Sequence, residues 1–124
     1  MGKSGVTGLR RIWNAFFYSM NGLSAAWRFE SAFRQECLLA AMLLPVAMWL
    51  AATPLEFALL TGSLLIVIIT ELLNSAIEAV VDRIGSAPHS LSGQAKDMGS
   101  ASVLLALLLV ALVWGSIIWE QVYE

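Results

Sequence analysis

Glu71, Asn74, Glu78 and Asp82 follow one another at intervals of three, four and four residues within and just beyond the apolar segment 57–81. If the segment is one helix, those intervals place all four side chains on one face. An acid inside a membrane-length apolar run is costly, so it reads by default as functional. The chemistry open to such a stripe is limited. A carboxylate at a dry boundary is suited to take the proton of an alcohol as a general base, which is the role open to Glu71. Glu78 is too far along the helix to share one ion with Glu71 easily. A divalent cation at Glu78 needs a second carboxylate, and Glu30 on the approach to the first span is the candidate. Mg²⁺ suits carboxylates combined with substrate phosphates. Lys96-Asp97 adds a cation able to meet a phosphate, or an anchor at the membrane surface. Asp82, beside Arg83, reads as a solvated helix end.

The elements that carry these residues follow from composition. Only 13% of the 124 residues are charged and 59% are apolar, with a mean hydropathy of +0.78. That balance is foreign to a small soluble domain. Three uncharged stretches, 37–55, 57–70 and 98–119, predict three transmembrane helices, the second of them continuing through Glu71. We place these spans at 31–52, 55–84 (with an extension into the aqueous phase) and 96–120, all within a single membrane domain, 1–124. With the second helix entering the hydrocarbon near Leu55, Glu71 lies ~24 Å along it, just inside the far boundary, and Glu78 ~10 Å further on. A lipid hydroxyl and a water-soluble substrate could meet there.

Residues 7–28 carry Leu9, Ile12, Trp13, Phe16, Phe17, Met20, Leu23 and Trp27 on one helical face, with Arg11, Asn14, Tyr18 and Asn21 on the other. Charges exclude a signal peptide. The aromatic content favours a helix lying in the membrane interface over one packed on the bundle. Lys3, Arg10, Arg11, Arg28 and Arg34 precede the first span, and Arg83 and Lys96 lie between the second and third. The positive-inside rule then puts the N-terminus and the loop around residues 85–95 in the cytoplasm, and the C-terminus opposite. The single Cys37 allows no intrachain disulfide. No Gly-rich nucleotide motif or strand pattern is present, so a phosphate-transferring chain of this kind must use carboxylates, a metal and a lysine on helices.

The run Glu71-Leu-Leu-Asn74-Ser-Ala-Ile-Glu78-Ala-Val-Val-Asp82-Arg83-Ile-Gly85-Ser, followed by Ala95-Lys96-Asp97-Met98-Gly99-Ser100-Ala101, resembles the prokaryotic integral-membrane diacylglycerol kinases. The likeness extends to Ala25-Ala26-Trp27 and to Glu30-Ser-Ala32-Phe33-Arg34-Gln35-Glu36. It implies an all-α homotrimer in a bacterial inner membrane, built of three-helix protomers with a surface helix. Its active sites would be shared between subunits, with MgATP as donor, diacylglycerol as acceptor and phosphatidic acid as product. By similarity Glu71 is the catalytic base, and Glu30 and Glu78 hold the metal. Arg11, Tyr18, Glu30, Glu78, His89, Lys96 and Asp97 match nucleotide positions. Trp27, Ala32, Phe33, Arg34, Gln35, Glu36, Glu71, Asn74 and Ser100 match the lipid-substrate site. Ala87-Pro88 departs from the charged or aromatic pair that precedes the family's histidine.

The related undecaprenol kinases share the acidic helix, but Lys96-Asp97-Met98-Gly99 favours diacylglycerol. A proton-coupled transport or assembly subunit is the alternative outside enzymes, although no paired or repeated spans support it. Three spans are also expected to leave part of the Glu71–Asn74 face open to lipid. The small residues Gly99, Ser102 and Ala106 would offer a packing face to neighbouring copies.

Overall fold

A computed structural model describes residues 7–123; Lys3, used above for orientation, and Glu124 lie outside them. Four α-helices account for the described fold: α1 (Gly8–Phe29), α2 (Ser31–Leu50), α3 (Pro54–Ile84) and α4 (Ser90–Tyr123). The last three are long and apolar enough to cross a membrane. α3 is the central element, packing on α2 and, more extensively, on α4.

The joint between α1 and α2 is a single residue. Glu30 is extended (φ −120°, ψ 104°) and ends one helix while starting the next. The Arg34 guanidinium secures this elbow by donating to the carbonyls of Trp27 (2.6 Å) and Arg28 (3.4 Å). A cation there satisfies carbonyls left unpaired at the end of α1 and complements its dipole.

At the other end of the bundle, Thr53 caps α3. Its hydroxyl accepts from the Glu56 N–H (3.2 Å), while the Glu56 carboxylate accepts from the Ala52 N–H (2.9 Å). This is a capping box displaced by one residue, with Pro54 at the first helical position, where its missing N–H costs nothing. Gln121 of α4 donates to both the Leu50 carbonyl (3.1 Å) and Glu56 (3.2 Å), tying three helices together.

Between the two ends lies the apolar core of Ala47, Leu60, Leu64, Trp114 and Ile117. The Trp114 indole donates to the Leu60 carbonyl at 3.2 Å, a polar link from α4 to α3 inside that core. Trp114→Phe removes the donor and puts a smaller ring in the core. We expect it to cost about 2 kcal/mol in reversible unfolding in detergent, from the lost donor and the cavity left in the core.

α4 begins at Ser90, six residues ahead of the expected boundary at 96. The reason is His89, whose Nδ1 accepts from the Leu91 N–H (3.1 Å) and whose carbonyl accepts from the Gly93 N–H (3.0 Å). An imidazole thus fills the capping place usually taken by Ser, Thr, Asp or Asn. It starts a helix through polar residues whose composition resembles a loop. The chain between α3 and α4 is accordingly only residues 85–89.

Candidate active site

The stripe on α3 divides into two halves that meet different surroundings. Glu71 and Asn74 are buried at 7% and 9% exposure within the single chain. The expected opening of this face to lipid is therefore absent: α4 covers it. The cover is close because residue 99 is glycine. A methyl group added there would overlap the Asn74 amide oxygen and sit 3.2 Å from its Cγ. Gly99 and Ala106 are buried against the rest of the chain, so this part of the small-residue face packs within one protomer. Ser102, half-buried, returns its hydroxyl to the Gly99 carbonyl at 2.6 Å.

Within this enclosure the Asn74 Nδ2 donates to the Glu71 Oε2 over a long 3.5 Å. The other end of the amide, Oδ1, is buried without a hydrogen-bond partner. A buried acceptor left unpaired costs about 1–3 kcal/mol, and such groups call for an explanation beyond packing. An acid and an amide are thus held together at the end of the central span away from the Trp114 core.

One and two turns further along, Glu78 is half-buried and Asp82 is exposed. Asp82 is solvated near the end of α3, as expected, but it is also paired. Its Oδ1 lies 2.8 Å from the Lys96 ammonium of α4, and both residues line a pocket of about 420 Å³ formed by the turn residues Gly85–His89, Ser92 and Gly93. His89 stands in the wall of that pocket with its Nδ1 engaged as a helix cap. Asp97 and Ser100 are exposed at the same end of α4.

Glu30 is elsewhere. It lines a groove of about 610 Å³ between α1 and α3, with Gly22, Ala26, Leu72, Ser75 and Ala79 among its walls. Those α3 residues centre on a face roughly 100° of helical rotation from the Glu71–Glu78 stripe, by the ~3.6-residue period. Glu30 thus borders a groove whose α3 wall lies on a different side of the helix from the stripe, and among the described residues no three metal-type ligands cluster. The donors present on the stripe are nevertheless all carboxylate and amide oxygens. That set fits a hard divalent cation and not a thiolate- or imidazole-seeking one.

The remaining candidates separate by burial. Phe33 is buried at 3% and Arg34 is committed to the elbow. Arg11, Tyr18, Trp27, Ala32 and Gln35 are exposed on one chain.

The fold and site define a membrane-embedded helical protein with a buried acid–amide pair at one end of its central span and a lysine-bearing pocket beyond it. Residues 17–118 match the family described as Prokaryotic diacylglycerol kinase. The diacylglycerol kinase of Haemophilus influenzae is 51% identical over 113 residues, covering 91% of this chain and 96% of that protein. The diacylglycerol kinase of Escherichia coli K12 is 50% identical over 115 residues (93% and 94%). That of Pseudomonas aeruginosa is 50% identical over 114 (92% and 93%). The chain belongs to the prokaryotic diacylglycerol kinase family.

Proposed function

We propose that this protein transfers the γ-phosphate of MgATP to the free hydroxyl of diacylglycerol, giving phosphatidic acid, at the cytoplasmic face of a bacterial inner membrane. The observation that carries this reading is the burial of Glu71 beside Asn74 at the end of the central span. A carboxylate held out of water at lipid depth can accept a proton from a hydroxyl that itself never leaves the bilayer. Asn74 fixes the direction of the acceptor oxygen, and Gly99 holds Asn74. The groove bearing Glu30, walled mainly by apolar side chains, suits the acyl chains of the acceptor.

Lys96 and the pocket beside it suit the anionic end of a nucleotide, as a compact ammonium that meets phosphate as a point charge. Arg11, Tyr18, His89 and Asp97 are the further nucleotide positions. Glu78 and Glu30 would hold Mg²⁺. When bound with ATP, the metal neutralises charge on the transferring group. Glu30 and Glu78 occupy different faces of one chain, so the pair is completed by a neighbouring copy's Glu30. This favours a homotrimer with shared sites. With α1 in the membrane interface, the residue 85–89 turn is cytoplasmic and the Gln121 end periplasmic.

The test is incorporation of label from γ-labelled ATP in detergent micelles containing either diacylglycerol or undecaprenol. Label in phosphatidic acid alone is the expected result. Label in undecaprenyl phosphate alone would move the protein to the related lipid kinases, and none in either would remove the kinase reading.

Shared metal binding makes a further prediction. Glu30→Gln and Glu78→Gln should each raise the Mg²⁺ concentration needed for half-maximal rate. The double variant should lose less than the two single losses combined, because one site is destroyed twice. Strictly additive losses at saturating Mg²⁺ would mean that the two acids act independently.

A further inference from the structure

Asp82 has no place in the mechanism above, yet it makes the only side-chain ion pair between α3 and α4 among the described residues, to Lys96 at 2.8 Å. Both side chains are partly open to water, at 43% for Lys96 and 66% for Asp82. A pair so exposed contributes about 0–1 kcal/mol, too little to explain how the two helices hold together. Their close packing at Gly99 already does that.

Position matters more. On α3, Glu78 precedes Asp82 by four residues, so the two carboxylates stand one above the other, ~5–6 Å apart at their Cβ atoms. Lys96 is bonded to Asp82 at 2.8 Å, and Glu78, one turn back on the same face of α3, is the next carboxylate along that face. The four-carbon stem of Lys96 is flexible enough to choose between two anions one helical turn apart. If Lys96 were to settle on Glu78, it would neutralise the carboxylate assigned above to the divalent cation and would withdraw from the turn pocket.

We propose that Asp82 is a positioning residue that holds the Lys96 ammonium in the pocket at the α3–α4 turn and thereby keeps it off Glu78, leaving that carboxylate free for a divalent cation. The inference rests on the metal role given to Glu78. Asp82 lines the same turn pocket, and the role assigned to it here is exerted through Lys96.

The experiment uses the full-length, metal-free protein in micelles and reads contacts and metal binding instead of turnover. A water-soluble carbodiimide joins a lysine to a carboxylate in direct contact, and mass spectrometry locates the bond. Wild type should give a Lys96–Asp82 link. Asp82→Asn should give a Lys96–Glu78 link that Mn²⁺ suppresses. Mn²⁺ affinity, measured by electron paramagnetic resonance without nucleotide, should fall about fivefold in Asp82→Asn, the equivalent of one exposed ion pair. It should be preserved in Asp82→Glu.

A Lys96 in Asp82→Asn that forms no link to Glu78, or a Mn²⁺ affinity unchanged by that substitution while Glu78→Gln abolishes binding, overturns this inference alone. Mn²⁺ binding that survives Glu78→Gln undiminished removes the metal role of Glu78 and the inference together.

Discussion

Glu71→Gln is expected to abolish phosphoryl transfer while leaving the protein folded. The side chain is buried within the single chain. Burying a charge in such surroundings is costly, so replacing it with a neutral amide of the same shape relieves the fold. The Asn74 Nδ2 can still donate to the glutamine oxygen, so the local geometry should survive. The lost capacity is proton acceptance. Positioned general bases contribute about 10²–10⁴ in rate, so turnover should fall at least a hundredfold. Unfolding in detergent should shift little or upward. Turnover within about tenfold of wild type would exclude Glu71 as the base.

Gly99→Ala should have the next largest effect, through a residue with no functional group at all. The added methyl cannot coexist with the Asn74 amide oxygen in its present place. Either α4 moves away from α3 or the Asn74 side chain rotates. Rotation breaks its donation to Glu71, and helix movement opens the enclosure to water. A misplacement of about 1 Å near the reacting groups is enough to cost about 10²-fold in rate. We expect a loss of that order in kcat, with a smaller effect on the KM for ATP. Gly115→Ala is the control on the same helix, because a methyl there meets nothing within 4 Å, and its activity should match wild type. Equal activity of Gly99→Ala and wild type would show that the Asn74–Glu71 geometry is not needed.

Much of this architecture was legible in the residues themselves. Helical periodicity alone put Glu71, Asn74, Glu78 and Asp82 on one face, and hydropathy alone marked three helices of spanning length. These features are local, set by spacing and side-chain type. What stayed hidden depends on which faces meet. The partner of the stripe Gly99, Ser102 and Ala106 was not legible because small residues do not say which helix they pack on; here Gly99 packs on Asn74 of the same chain. The exposure expected for Glu71 failed for the same reason. Asp82 read as a solvated helix end because its partner, Lys96, lies across a helix–helix crossing that sequence does not specify. A signal was present in its spacing of four from Glu78, which obliged it to share that residue's face. The early start of α4 was concealed because His89 is an uncommon cap.

Co-refolding Glu71→Gln and Glu30→Gln chains tests most directly whether the buried base and the distant metal carboxylate build one phosphorylating site across two copies. Each variant alone should be inactive toward diacylglycerol. In randomly mixed trimers about a quarter of such shared sites would receive both wild-type residues, and activity should return to about that fraction of wild type. Mixed oligomers that form, as shown by pull-down of differently tagged chains, yet remain as inactive as either parent would contradict a site shared between subunits.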